Sequence, residues 1–234
     1  MRVSLLIAVL LCMQPLFAKE PQLRCEKKIG QVDWQGMVFH RYCLRAENFP
    51  PRQTFRLIVK SFDGTETETF RYYANHRGHL IFQPSEEYDG DIVAICPAKR
   101  GERLTFLMRS ESEEGKEAYA AEIVPFPLEM KSKKGIKLSL ELQGEQGEKF
   151  QLFAAGLKPN EPITLKLDVG HEILDLEAVV TALGNLCMQV DIPPHAEESG
   201  AKLLLSRKGE EITFPFEWGT SALKLVGACC FEIK

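Results

Sequence analysis

Apolar and polar residues alternate along most of this chain. Five segments have an apolar residue at every second position, namely Tyr42, Leu44 and Ala46; Phe55, Leu57 and Val59; Phe150, Leu152 and Ala154; Ile163, Leu165 and Leu167; and Ile212, Phe214 and Phe216. A period of two places one face of a β-strand on a core and the other in solvent. Because turn signals such as those at Gly64, Gly90, Gly200 and Gly209 punctuate the chain, the pattern predicts an all-β chain of short strands packed as sandwiches.

The chain also contains an internal repeat. A shift of 108 positions, which carries Gly36 onto Gly144, aligns the apolar frames of the two halves. The matches include Tyr42 with Phe150, Leu44 with Leu152, Phe49 with Leu157, Pro51 with Pro159, Leu57 with Leu165, and Thr105 and Phe106 with Thr213 and Phe214. Near the middle of each half the alignment slips by two positions, so that Gly78 matches Gly184. Two copies of one structural unit account for this self-similarity.

The repeat sets the predicted domain plan. Two prolines flank one aromatic residue at Pro125, Phe126 and Pro127, which predicts a short, stiff connection. We therefore expect one β-sandwich over residues 19–126 and a second over 127–234. The same shift predicts that residues 223–233 form the final strand of the second domain. Residues 174–183 also fit a helical stripe, but the matching segment of the first half is rich in threonine and aromatics, which favours strands in both.

Each half carries a strand–turn–strand segment at residues 44–59 and 154–163. A strand ends in a small residue, a proline-containing turn follows, and a second strand begins. This segment resembles the turn of bacterial immunoglobulin-like surface and periplasmic modules, which implies an immunoglobulin-like β-sandwich fold. The two-domain plan and length also resemble those of periplasmic pilus-assembly chaperones. Those chaperones have a long strand before the linker, a role that would fall on residues 119–126, but they lack a close internal repeat and are typically basic.

The N-terminus has the pattern of a secretory signal. Arg2 supplies a positive charge, residues 3–13 are apolar apart from one serine, and Ala18 precedes the polar Lys19. Because the apolar run is shorter than the roughly 20 residues that a membrane span needs, we expect residues 1–18 to be a cleaved signal peptide. Cys12 would be the site of lipidation in a lipoprotein, but the bulky Leu11 before it disfavours that alternative. The sequence thus predicts export to the periplasm, the cell envelope or the medium.

Charge and hydropathy narrow the classes of partner. The formal net charge is −4, and loss of Arg2 with the signal makes the mature chain more acidic. Nucleic acid is therefore not an expected partner. Charged residues interrupt every later apolar segment, so the mature chain contains no expected membrane span. The basic residues 131–134 follow the domain boundary and are interpreted as a solvated linker.

Six cysteines remain after the predicted signal peptide is removed. An even number in an exported chain indicates disulfides, whose candidates are Cys25, Cys43, Cys96, Cys187, Cys229 and Cys230. Adjacent residues of a strand point to opposite faces, so Cys229 and Cys230 should have different surroundings. One could face the core while the other is free for an intermolecular bond, with Cys187 the local alternative partner. Cys43 lies off the apolar parity of Tyr42 and Leu44, which weakens an inter-sheet bridge to Cys96.

The sequence contains no motif for catalysis, for cofactor binding or for a metal. His76 and His79 stand in a predicted turn without a third ligand nearby. Trp34 and Trp218 are the candidate partner-binding residues, with core packing as the alternative. We therefore expect a non-enzymatic envelope or secreted protein that binds another protein or has a structural role. The alternatives are an assembly factor of the envelope and a glycan-binding module.

Overall fold

The computed structural model describes residues 20–34, 37–83, 94–112, 118–170, 172–193, 200–207 and 210–233. The predicted signal peptide and Cys12 lie outside these ranges. Nearly every described segment is a strand, as the alternation predicts, and residues 173–179 form a strand rather than a helix. No helix in these ranges is long and apolar enough to cross a membrane.

The described strands fall into two groups and one C-terminal strand. The first group is β1 (Gln22–Trp34), β2 (Met37–Glu47), β3 (Thr54–Lys60), β4 (Glu66–Ala74), β5 (Leu80–Phe82), β6 (Ala94–Lys99), β7 (Leu104–Ser110) and β8 (Ala118–Ile123). The second group is β9 (Leu128–Lys131), β10 (Lys137–Leu142), β11 (Lys149–Ala155), β12 (Pro162–Asp168), β13 (Ile173–Val179), β14 (Asn185–Asp191), β15 (Ala201–Arg207) and β16 (Glu210–Phe216). A short 3-10 helix (Gly219–Ser221) then leads to β17 (Leu225–Ile233).

The second group forms an immunoglobulin-like sandwich. One sheet has the order β14-β11-β10-β9 and the other has the order β13-β12-β15-β16. The predicted inward residues fill the core between them, with Phe150, Leu152, Leu165 and Phe214 all buried. The strand order and the buried faces therefore confirm the immunoglobulin-like β-sandwich fold for this unit.

The first group is a sandwich that is completed by the far end of the chain. One sheet has the order β5-β4-β3-β7-β8, and the other has the order β1-β2-β17-β6. In the second sheet β17 pairs in parallel with β2, from Gly227 beside Val38 to Ile233 beside Leu44. On its other side β17 pairs with β6 in antiparallel register. The prediction that residues 223–233 close the second domain is therefore wrong.

The apolar side chains of β17 explain its position. Cys229 and Phe231 belong to the core cluster of the first unit, together with Tyr42, Leu44 and Phe106. The core cluster of the second unit contains residues from Leu128 to Ala222 and none from β17. Apart from β17, the first cluster is built from residues before the predicted linker and the second from residues after it. The precise domain boundaries stay a prediction.

The first half of the repeat is equivalent in the two units. Gly78 and Gly184 both have positive φ and lie in turns packed against the chain that follows β2 in the first unit and β11 in the second. A Cβ atom on Gly78 would lie 2.7 Å from Phe49 O, and one on Gly184 would lie 2.6 Å from Leu157 O. Phe49 and Leu157 are themselves matched in the sequence alignment. The same close contact therefore requires glycine in both copies.

The constant shift fails in the second half of the repeat. β3 and β12 are equivalent, but β3 pairs with β7 whereas β12 pairs with β15. The structural equivalent of β7 is therefore β15, and not the β16 segment of Thr213 and Phe214 that the sequence alignment matched. Both β15 and β16 are strands in which apolar and polar residues alternate. Periodicity alone does not distinguish them.

A turn of the first unit joins the two sandwiches. Gly101 donates its backbone N–H to Phe126 O at 2.8 Å, and Leu142 donates to Gly101 O at 2.9 Å. Arg103 pairs with Glu141 of β10, with Nη2 2.6 Å from Oε2. Phe62 of the first unit packs against the core cluster of the second. The units therefore meet through a hydrogen-bonded and partly apolar junction.

Candidate functional site

The cysteines of the two units lie in different sheets. Cys187 stands exposed on β14 of the second unit, and all other predicted disulfide candidates share the β1-β2-β17-β6 sheet, namely Cys25, Cys43, Cys96, Cys229 and Cys230. The structure joins none of these six described cysteines in a disulfide. The insertion of β17 has therefore brought together cysteines that are distant in sequence.

The two adjacent cysteines of β17 point to opposite faces of their sheet. Cys229 is fully buried in the core of the first unit, whereas Cys230 is half-buried on the other face. The predicted difference between them is confirmed. Cys187, the predicted local partner, lies in a sheet of the second unit, whereas Cys229 and Cys230 lie in a sheet of the first.

The placement of Cys43 confirms that it does not belong to the core face. Tyr42 and Leu44 lie in the core cluster, and Cys43 between them does not. Cys96 does lie in that cluster, on a strand of the same sheet as Cys43. An inter-sheet bridge between Cys43 and Cys96 is therefore ruled out, because the two thiols face opposite sides of one sheet.

Burial makes the inward thiols poor nucleophiles. It raises the pKa of Cys96 to about 12, and it raises the pKa of Cys229 further above its ordinary value, with smaller effects from neighbouring groups. Burial and the nearby Cys43 thiol raise the pKa of Cys25 to about 11. Since the thiolate is the reactive form, these groups are protected from reagents in the folded state.

This arrangement predicts the order in which the thiols of the folded, reduced chain react. Cys187 should be alkylated first because it is exposed on an outer sheet face, and Cys96 and Cys229 should react only on unfolding. Timed labelling with iodoacetamide, followed by digestion and mass spectrometry, measures the order. Labelling of Cys229 as fast as that of Cys187 would contradict the burial of β17.

Trp218 does not line a binding face. Its side chain is 5% exposed and belongs to the core cluster of the second unit, which corrects its prediction as a partner-binding residue. It follows β16, where apolar alternation continues into the start of the 3-10 helix at Gly219–Ser221. Trp34 ends β1 opposite Met37, and its side chain lies outside the part of the chain that the structure describes.

An outward-facing groove crosses the β14-β11-β10-β9 sheet. Residues that are directly opposite one another on these strands share a face, and two such rows line the groove. One row contains Glu129, Ser139, Phe153 and Cys187, and the next contains Lys131, Lys137, Ala155 and Asn185. The groove has a volume of about 660 Å³.

Phe153 is the central apolar residue of this groove. It lies between Ser139 and Cys187 in its row, and its side chain is half-buried. Gln151 Nε2 donates to Cys187 Sγ at 3.1 Å, which orders the neighbouring polar surface. The sequence held a signal for this site, because Phe153 is a large aromatic residue at an outward position of a strand whose inward positions are Phe150, Leu152 and Ala154.

The histidines make no metal site in the described ranges. His76 and His79 are exposed in the turn before β5, and no group of three metal-ligating side chains occurs among the described residues. His40 Nδ1 instead lies 2.8 Å from Pro125 O, and its ring packs against Phe126 at 4.2 Å between centroids. His40 therefore anchors the predicted linker to β2.

Comparison with known proteins gives similar solved structures but no matching family. No protein-family model matches the chain, and no curated protein matches it. Among solved structures it is similar to a tetra-tandem repeat in the extending region of a large adhesion protein, with a TM-score of 0.27 and 8% identity over 92% of this chain and 50% of that one. It is also similar to a two-domain fibronectin type-III segment from chicken tenascin, with a TM-score of 0.24 and 10% identity over 84% of this chain and 98% of that one. This chain thus spans about half the length of the adhesion repeat, and TM-scores this low support no functional conclusion.

Proposed function

We propose that this protein is exported, is not an enzyme, and binds another envelope or surface protein through the groove of its second unit. The observation that carries the proposal is the half-buried Phe153 at the centre of a groove on the β14-β11-β10-β9 sheet. Aromatic residues that become fully desolvated at the centre of an interface carry much of its binding energy. The groove is thus suited to anchoring one apolar side chain of a partner.

The charges beside Phe153 indicate the chemistry of the partner. Lys131 and Lys137 are opposite each other on β9 and β10, so two ammonium groups stand at one end of the groove. Both side chains are exposed, and no ion pair of either is found among the described residues. A partner segment with an apolar residue for Phe153 and a carboxylate for the lysines fits this surface.

Photo-crosslinking from position 153 tests this function. With p-benzoylphenylalanine in place of Phe153, we expect one stoichiometric adduct with a second protein in the producing cells. With that protein purified, Phe153→Ala should weaken binding by about thirtyfold or more in calorimetry, because truncating a central anchor costs about 2 kcal/mol or more.

The matched control uses the other sheet of the same unit. Ile173 on β13 is 61% exposed, so the same crosslinker there should give no adduct and Ile173→Ala should leave the affinity unchanged. Equal adducts from both positions, or none from position 153, would exclude the groove as the binding site.

Glycan binding is the alternative that the same groove allows, because an aromatic ring beside Ser139 and Gln151 can stack on a sugar. A glycan array probed with the full chain separates the two functions. A glycan that binds the unaltered chain and fails to bind Phe153→Ala would replace the protein partner in this proposal.

An assembly factor is the other alternative, and the position of β8 favours it. β8 is an edge strand, paired only with β7 in its sheet, and it overlaps the segment that the chaperone resemblance singled out. An edge strand can accept a strand from a partner. Adducts from a crosslinker at Ala120, an exposed residue of β8, with none from position 153 would favour this function.

A further inference from the structure

Cys96 and Cys229 are directly opposite each other on neighbouring antiparallel strands. The register of β6 and β17 pairs Cys229 with Cys96, and both side chains belong to the core cluster of the first unit. The Cys229 thiol is close enough to β6 to donate to Cys96 O, with Sγ 3.4 Å from the oxygen. The two side chains therefore share the apolar core between the sheets.

The spacing of such a pair suits a disulfide. Directly opposite residues of antiparallel strands have Cα atoms about 4.5 to 5.5 Å apart. Disulfides join cysteines whose Cα atoms are about 4.4 to 6.8 Å apart. No movement of the backbone is needed to bring Cys96 and Cys229 within that range.

The same sheet excludes the competing pairs. Cys43 and Cys230 lie on its outer face, so they cannot bond to a cysteine on the core face. Cys25 lies on β1, which β2 separates from β17. Cys43 and Cys230 are not opposite each other either, because Cys230 is beside Arg41 and Cys43 is beside Glu232.

We propose that Cys96 and Cys229 are oxidised to a disulfide that fixes the C-terminal strand in the first unit. The oxidant is a disulfide, either of a small thiol such as glutathione or of a dithiol oxidoreductase. One cysteine thiolate attacks the oxidant, forms a mixed disulfide and releases one thiolate. The second cysteine thiolate then attacks the protein sulfur of that mixed disulfide and releases the other half of the oxidant. The two protons of the cysteine thiols are taken up, through solvent, by the two released thiolates, so the oxidant ends as two thiols and has gained two electrons.

The bond forms before β17 is fully packed. In the folded chain both sulfurs are buried, so an external oxidant cannot reach them. During folding the thiols are still solvated and ionise more readily. Once closed, the bond encloses the second unit in a covalent loop from position 96 to position 229. The C-terminal strand then cannot leave its sheet without reduction.

Refolding of the full chain with a glutathione redox buffer tests the inference. The denatured, reduced chain is refolded in oxidised and reduced glutathione, blocked with iodoacetamide, and digested without reduction. We expect mass spectrometry to find one dominant cross-linked peptide pair that contains Cys96 and Cys229 and lacks two hydrogen atoms relative to the separate peptides. Amide exchange in β17 should be slower by about tenfold or more than in the reduced chain.

Variants separate this pair from incidental oxidation. Cys187→Ser should leave the cross-linked pair in place, whereas Cys96→Ser or Cys229→Ser should abolish it. A dominant link through any other cysteine would overturn the inference. It would also be overturned if unfolding the refolded chain, without any reductant, made both Cys96 and Cys229 available for alkylation. If a variant fails to fold, the cross-linked peptides of the unaltered chain still show whether Cys96 is joined to Cys229.

Discussion

Replacing Phe231 with alanine is expected to destabilise the first unit by about 3 to 5 kcal/mol, although Phe231 lies at the end of the second half of the sequence. The side chain is 2% exposed, and its ring is 4.3 Å from that of Phe106 and 5.9 Å from that of Tyr42 between centroids. Removing it leaves a cavity between the two sheets of the first unit. The change should therefore act where β17 is inserted, and not in the unit that precedes it in the chain.

Hydrogen exchange measured by mass spectrometry assigns the loss to a unit. Peptides from β3 and β7 should exchange faster in the Phe231→Ala variant, and peptides from β12 and β15 should keep their protection. Phe216→Ala should give the reverse pattern, because Phe216 packs on Phe150 of the second unit at 5.1 Å between ring centroids. Loss of protection in β12 and β15 of the Phe231→Ala variant would contradict the pairing of β17 with β2 and β6.

Leu225 provides the matched control on the same strand. Its side chain is 61% exposed, so Leu225→Ala should change the free energy of unfolding by no more than about 0.5 kcal/mol. If Leu225→Ala cost as much as Phe231→Ala, the destabilisation would follow from any change in the C-terminal segment. It could not then be attributed to the loss of a core side chain.

Replacing Glu102 with alanine is expected to cost about 2 to 4 kcal/mol. Glu102 is 1% exposed and lies in the turn that joins the units. Its Oε2 accepts the backbone N–H of Lys99 at 2.8 Å, and its Oε1 accepts the hydroxyl of Ser61. Truncation leaves both part-buried donors without their acceptor, which costs more than the loss of an exposed ion pair.

The measurement is urea unfolding of the variant beside Glu122→Ala. Glu122 pairs with Arg103 and is half exposed, so its removal should cost less than about 1 kcal/mol. Glu102→Gln keeps an acceptor and should recover part of the loss. The backbones of Glu102 and Leu142 form an isolated parallel β-bridge, so Glu102→Ala should also speed amide exchange at Leu142. Equal costs for Glu102→Ala and Glu122→Ala would show that the turn does not depend on the buried carboxylate.

The sequence was a good guide to the faces of the strands. Tyr42, Leu44, Phe55 and Leu57 are all buried at the positions that the alternation predicts. This succeeds because side chains alternate strictly between the two faces of any β-strand. The different surroundings of Cys229 and Cys230 follow from the same rule.

The candidate site was only partly predictable. Trp218 is apolar and large enough for either a core or an interface, and its burial depends on how the chain turns after β16. Phe153 was visible as an outward aromatic residue, but the groove around it exists because four strands align Ser139 and Cys187 on either side. A site made by cross-strand neighbours depends on register, which a linear pattern does not specify.

The amino-acid sequence by itself determined the all-β class, the inward faces of the strands and the glycine turn that is repeated at Gly78 and Gly184. Each of these depends on residues close together in the chain. Only the tertiary structure decided that β17 lies between β2 and β6, and therefore that Cys229 is opposite Cys96. Strands pair through backbone N–H and C=O groups that all residues except proline carry, so alternation shows which face of β17 is buried without showing which sheet receives it.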